Sequence, residues 1–209
     1  MKIKITFALC LFSIVFSNAQ YDWRLGEVVL RTNDTIKGFI KIPMVVRGKS
    51  TTNKKVKYRK NLYAKISKYD HTNAIKILFK DKKGKISFFE YIRTSPDKVQ
   101  LLKIMYNSDK LRIYARKVAH QDVDYFPDGT PFSKSVEPDD YNQFYAQRKF
   151  EQNATLLIKH LGQEILNKYF RKNAMKYFSD CPELVLRLKN KTIRASSIIT
   201  AAKIYNKCE

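Results

Sequence analysis

Two sets of side chains in this sequence have types and spacing that could do chemistry. One is a pair of cysteines near the end, Cys181 and Cys208; the other is a series of cations, Lys76, Lys80, Lys103, Arg112 and Arg116, that alternate with apolar residues. Alternation of that kind belongs to strands, where several cations project from one solvated face and sum into a positive field able to hold a polyanion. Tyr58, Tyr63, Tyr91, Tyr106 and Tyr114 interleave with these charges and offer rings for stacking on sugars or bases. The competing reading gives the lysines only the task of keeping strand faces soluble and sheet edges unpaired.

Catalytic chemistry has thinner support. His71, His120 and His160 lie far apart, with no His-x-His or HExxH spacing, so no histidine metal site and no cofactor are expected. Asp122, Asp124 and Asp128-Gly129 have the composition of a calcium loop without its spacing, and no Glu closes the set, which reads as a solvated acidic loop. There is no GxSxG, Ser-x-x-Lys or Cys/His arrangement for a nucleophile. A non-catalytic binding or structural module is therefore the first reading. The alternative is a hydrolase of an envelope polymer, its site gathering His120, Asp122, Asp124 or Asp128 where the acidic loop meets the sheet.

The start of the chain sets the compartment. Lys2 and Lys4, the apolar run Ile5 to Phe16 and then Ser17-Asn18-Ala19 read as a secretory signal peptide over 1–19, with a mature start at Gln20. An apolar core of about twelve residues is short of the roughly 20 that a spanning helix needs, which favours cleavage over a retained anchor. Leu9 before Cys10, in mid-run, argues against lipidation. The expectation is an exported protein, periplasmic or extracellular, or peripheral on the outer membrane.

Export leaves Cys181 and Cys208 in an oxidising compartment, where an even number of cysteines normally pairs. Asp180 to Lys189 reads as a helix with Asp180 as N-cap, Pro182 in the first turn and Glu183 at capping-box spacing; Ala195 to Asn206 reads as another. An antiparallel hairpin of the two brings the cysteines together. Free thiols or a redox pair remain the competing readings, the latter without the CxxC spacing that marks redox chemistry.

The other elements follow from period and turn residues. Strands are expected at Glu27 to Leu30 and Thr35 to Ile42 around Asn33-Asp34, at Ile75 to Phe79 and Lys85 to Ile92 around Gly84, and at Leu101 to Tyr106 and Leu111 to Val118 around Asn107-Ser108-Asp109. Lys55 to Lys60 reads as a short strand with Val56 and Tyr58 on one side, and Val46 to Lys54 as a loop. Lys37 to Lys117 carries 23 Lys and Arg against 5 acidic residues, so the excess charge belongs to this β-rich region, 20–119. An acidic surface loop is expected over 120–152 and C-terminal helices over 153–209, the longest from Asn153 to Phe178. The fold class is α+β: an antiparallel β-meander or partly open barrel, followed by a helical segment packed on the sheet. A membrane-spanning barrel is disfavoured by the helical tail and by lysines that would meet lipid.

The segment from Gly26 to Ile40, the hairpin ending Leu111-Arg112-Ile113-Tyr114, and the tail Ser179-Asp180-Cys181-Pro182 through Tyr205-Asn206-Lys207-Cys208 resemble an uncharacterised family of exported proteins from Bacteroidetes-type bacteria. The resemblance implies export and a strand-then-helix layout and supplies no activity. The partners expected of an exported cationic sheet are anionic envelope surfaces: lipopolysaccharide, phospholipid headgroups or acidic glycan, with nucleic acid the weaker expectation.

Overall fold

The turn at Asn33 sets the first hairpin: its φ of 69° is a left-handed conformation that Asn tolerates, and Asn33 N–H reaches the Leu30 carbonyl at 3.0 Å. The computed structural model describes residues 23–43, 45–46, 55–80, 84–116, 118–125, 131–136, 143–159 and 163–208. The expected signal segment and residues 47–54 of the expected loop lie outside the described residues. Around Asn33 run β1 (Arg24–Leu30) and β2 (Thr35–Lys41), followed by β3 (Val45–Val46), β4 (Val56–Arg59) and β5 (Ser67–Tyr69). Then come β6 (Ala74–Lys80), β7 (Ile86–Ser95), β8 (Lys98–Asn107) and β9 (Leu111–Arg116). Gly84, at φ 78°, supplies the left-handed residue between β6 and β7.

The expected acidic loop needs correction. β10 (Val118–Tyr125) pairs with β11 (Pro131–Val136), with Asp122 opposite Lys134, and β12 (Gln143–Arg148) and β13 (Thr155–Ile158) join the main sheet. The segment is crowded with aspartates and prolines and has little periodicity, so its sequence does not announce strands, although a Pro as first residue, as in β11, is compatible with one. The expected long helix is likewise shorter. Ala154, Leu157 and Ile158 lie in and before β13, and α1 spans Gln163–Tyr177, because a short apolar run does not distinguish strand from helix. His160 and Leu161 lie outside the described residues.

Ten strands form one open antiparallel sheet in the order β13-β12-β9-β8-β7-β6-β1-β2-β4-β5, with C-terminal helices, an α+β fold. Calling the face with Val28, Ile77 and Phe89 the front, the sheet bends forward at its β5 end. β5 and β6 stand four strands apart in the order, about 19 Å if flat, yet a turn closed by Ala74 N–H on the Asp70 carbonyl at 2.9 Å joins them. The Tyr91 hydroxyl of β7 also donates to the Tyr69 carbonyl of β5 at 3.3 Å. Val28, Ile40, Val56, Ala74, Ile77 and Phe79 fill the interior of this roll.

The other end rolls the opposite way. Ala154 N–H, beside edge strand β13, reaches the Arg93 carbonyl of β7 at 2.8 Å across four strand steps, enclosing Leu102, Tyr114, Tyr145 and Ala154 against the back face. Two glycines permit the tight first roll. A Cβ on Gly26 would stand 2.2 Å from the Leu78 carbonyl oxygen, and one on Gly38 2.5 Å from that of Arg59. We predict that Gly26→Ala destabilises by about 1–3 kcal/mol, because only separating β1 from β6 relieves the clash; a urea midpoint equal to the parent's would contradict that.

The helices cover the front face of β9, β12 and β13. α2 (Pro182–Lys189), a 3₁₀ turn (Ala195–Ser197) and α3 (Ile198–Tyr205) follow α1, and Phe170, Ala174, Phe178, Leu184, Leu188 and Ile198 pack with Leu111, Ile113 and Ala146 in the largest core. Cys181 and Cys208 form a disulfide with Cα atoms 5.7 Å apart. The N-cap is Cys181 rather than Asp180, with Pro182 at the helix start, and it makes no side-chain cap bond. Asp180 is engaged elsewhere: it accepts from Arg148 at 2.6 Å and from the Tyr205 hydroxyl at 2.7 Å. Glu183 pairs with Arg187 at 2.7 Å instead of closing a capping box. Arg148 also donates to the Tyr177 carbonyl at 2.5 Å and lies over the Tyr177 and Tyr205 rings, fastening β12 to the helices.

Candidate anion-binding face

Residues opposite one another in an antiparallel pair point to the same side, so the register assigns each expected cation to a face. Lys76 pairs with Glu90 and Glu90 with Leu102, while Lys80 pairs with Ile86 in step with Leu78 and Phe88; these are back-face positions. Arg112, opposite Gln147, and Arg116, opposite Gln143, alternate with front-face Ile113 and Ala115 and share the back. Lys103 does not. It pairs with Phe89 and Ala115 on the front.

The reversal of curvature then separates the four. Lys80 lies on the convex stretch and is exposed. Lys76 approaches Glu90 at 3.4 Å and rests 5.1 Å from the Phe88 ring, and Arg112 approaches the other Glu90 oxygen at 3.6 Å, so one carboxylate offsets part of two cations. A hydrogen bond with Tyr114 contributes most to raising the Arg112 pKa.

Arg116 sits inside the second roll. It donates to the Gln100 side chain and, at 2.6 and 3.2 Å, to Gln143 Oε1, which also accepts from the Tyr145 hydroxyl at 3.1 Å. Burial pulls the guanidinium pKa down and pushes that of Tyr145 up. Amide oxygens meet its donors, as burying a cation requires. Arg116 thus organises an interior and is not offered to a macromolecular surface.

The convex back face has a second property that charge alternation did not predict. Its rows read Phe39-Leu25, then Lys37-Glu27-Leu78-Phe88, then Thr35-Val29-Lys76-Glu90. Leu25 is 61%, Ile86 51% and Phe88 37% exposed, and Lys37 keeps most of its side chain in solvent despite approaching Glu27 at 3.4 Å. The face therefore sets exposed apolar residues among Lys37, Lys76 and Lys80, with Glu27 and Glu90 as partial counter-charges. Period-two alternation was the available signal, but it carries no information about which face the helices leave uncovered.

Of the interleaved tyrosines, Tyr114 is buried, Tyr106 packs against the helical core, and Tyr58 and Tyr91 bond to the Lys37 and Tyr69 carbonyls. Tyr63 is 98% exposed. His71 lies 6.4 Å from the Tyr91 ring, and its carbonyl accepts from Arg31. The side chains of His120, Asp122 and Asp124, and all of Asp128, lie outside the described residues. Among the described residues no group of three or more His, Cys, Asp or Glu is placed to hold a metal, and no helix is long and apolar enough to cross a membrane. An open depression of about 300 Å³, lined among others by Asn107, Arg112, Gln147 and Arg148, lies where the β8–β9 turn meets β12.

No family model, no curated protein and no solved structure matches the chain.

Proposed function

We propose that the protein is exported and acts as a non-catalytic envelope-associated module that docks on an anionic surface through the convex back of its sheet. The observation that carries this reading is the set of exposed apolar residues, Leu25, Ile86 and Phe88, held among Lys37, Lys76 and Lys80 on one face. Apolar area of this kind, with cations beside it in excess over Glu27 and Glu90, suits a surface with negative charge outside and apolar material beneath. The signal-like residues 1–19, the disulfide and the resemblance of the tail to exported Bacteroidetes-type proteins support the envelope as the setting.

The test is co-sedimentation of the mature chain with isolated outer-membrane vesicles across a salt series, beside a variant carrying Lys37→Gln, Lys76→Gln and Lys80→Gln. The parent is expected to lose binding steeply as salt rises, and the variant to bind on the order of tenfold more weakly or worse at low salt. Binding indifferent to both salt and substitution would reduce these charges to a solubilising role.

A further inference from the structure

We propose that the β4–β5 hairpin is a membrane-interface anchor that seats Leu62 and Tyr63 in the headgroup region of an anionic phospholipid bilayer. The proposal rests on the docking reading above and deepens it by naming the surface and the segment that enters it.

Between β4 and β5 the chain turns through Leu62, Tyr63 and Ile66, which are 47%, 98% and 44% exposed. From Lys57 to Lys68 the same short stretch carries Lys57, Arg59, Lys60, Lys65 and Lys68 and no acidic residue. Each observation alone is ordinary: single exposed apolar residues are common, and lysines blunt sheet edges such as the one β5 occupies. Together they match the two layers of a bilayer interface. The aliphatic and aromatic side chains gain by leaving water, Tyr favours the headgroup level, and the flanking lysines reach lipid phosphates on flexible stems.

The loop is also built to present those side chains. Tyr63 N–H donates to Asn61 Oδ1 at 3.0 Å, Ala64 N–H donates to the Asn61 carbonyl at 3.2 Å, and Arg59 donates to the Leu62 carbonyl at 2.5 Å. An apolar tip held in one shape before contact loses little conformational freedom on binding. Arg59 in turn lies 4.0 Å over the Trp23 ring and pairs in register with Phe39, which joins the hairpin to the row carrying Leu25 on the convex back. The charge selects an anionic surface. The aliphatic residues select a bilayer over a glycan, which has no hydrocarbon layer for Leu62 and Ile66 to enter.

The experiment uses the mature chain and vesicles of phosphatidylcholine with or without phosphatidylglycerol, assayed by flotation. The parent is expected to float with the phosphatidylglycerol vesicles, and a Leu62→Ser, Tyr63→Ser variant to lose about tenfold or more of that partitioning with an unchanged thermal midpoint, because both side chains are exposed. A second variant, Trp23→Phe with Tyr63→Trp, places the only tryptophan at the tip; its emission should shift to the blue on these vesicles and be quenched by brominated lipid. Equal partitioning of the serine variant, or a tip tryptophan that stays water-exposed on bound vesicles, overturns the anchor. Salt-dependent binding to outer-membrane vesicles without binding to phosphatidylglycerol overturns it while leaving the docking reading standing, with lipopolysaccharide as the surface. Binding to neither removes both.

Discussion

Phe178→Ala is expected to lower the stability of this protein by about 3–5 kcal/mol, the cost of removing a large aromatic side chain from a close-packed interior. Phe178 is fully buried at the centre of the largest core. Its ring meets Tyr177 edge-on at 5.0 Å and Tyr205 at 4.9 Å, in a cluster that includes Leu111 and Ile113 from the sheet and Leu184 and Ile198 from the helices. Its ring neighbours come from both α1 and α3, so the lost contacts cannot be replaced by a small shift of one helix. Urea unfolding of residues 20–209 is the measurement, with Phe178→Leu as a milder partner that retains most of the volume and Leu186→Ala, at a 58% exposed position, as the control. The control should change stability by no more than about 0.5 kcal/mol. A loss below about 1 kcal/mol for Phe178→Ala would mean that the helical tail is not closely packed on the sheet.

The second large effect belongs to the disulfide. Closing a loop across a separation of 27 residues removes about 3.5 kcal/mol of chain entropy from the unfolded state in the loop-closure treatment, so reducing Cys181–Cys208 should cost stability of that order. The bond fastens the start of α2 to Cys208, three residues beyond the end of α3, and Lys110 of the β8–β9 turn donates to the Cys208 carbonyl, so the last residues of the tail are tied to the sheet as well. Since Cys181 is fully buried, Ala is the substitution of choice there; Ser would add a hydroxyl to an apolar site. Intact mass of the protein should rise by two hydrogens on reduction, and the urea midpoint should fall together with it. Equal masses, or equal midpoints for oxidised and reduced protein, would exclude a stabilising bond.

Local signals account for much that was legible beforehand. The β1–β2 and β6–β7 turns rest on Asn33 and Gly84, both in left-handed conformations that few other residues adopt comfortably. Val56 and Tyr58 share the front cluster while Lys57 is exposed, as alternation within β4 requires. The expected cysteine pair forms because each partner sits at the end of a short helix whose apolar stripe fixes its packing. Errors fell where composition and period disagreed. The run Thr155–Ile158 is short and apolar, and it became a strand because β12 offered an unpaired edge, with Phe144 opposite Ile158. The candidate site was half legible. Its cations were visible as an alternating series, but the exposed apolar residues among them were not recognisable, since Leu25 and Phe88 look in sequence like core residues.

What this sequence determines by itself is what neighbours along the chain can settle: the hairpin turns, the two-sided character of each strand, the excess positive charge of the first half, and the helices that bring Cys181 to Cys208. Tertiary structure alone decided that β1 lies beside β6, that the sheet rolls forward at one end and backward at the other, and that Lys80 faces solvent while Arg116, on the same face, is enclosed by Gln100, Gln143 and Tyr145. The physical reason is that a period of two names two faces without saying which is covered. That choice depends on the direction in which the sheet bends, and the bend is held by contacts such as Tyr91 to Tyr69 and Ala154 to Arg93 between residues far apart in the chain.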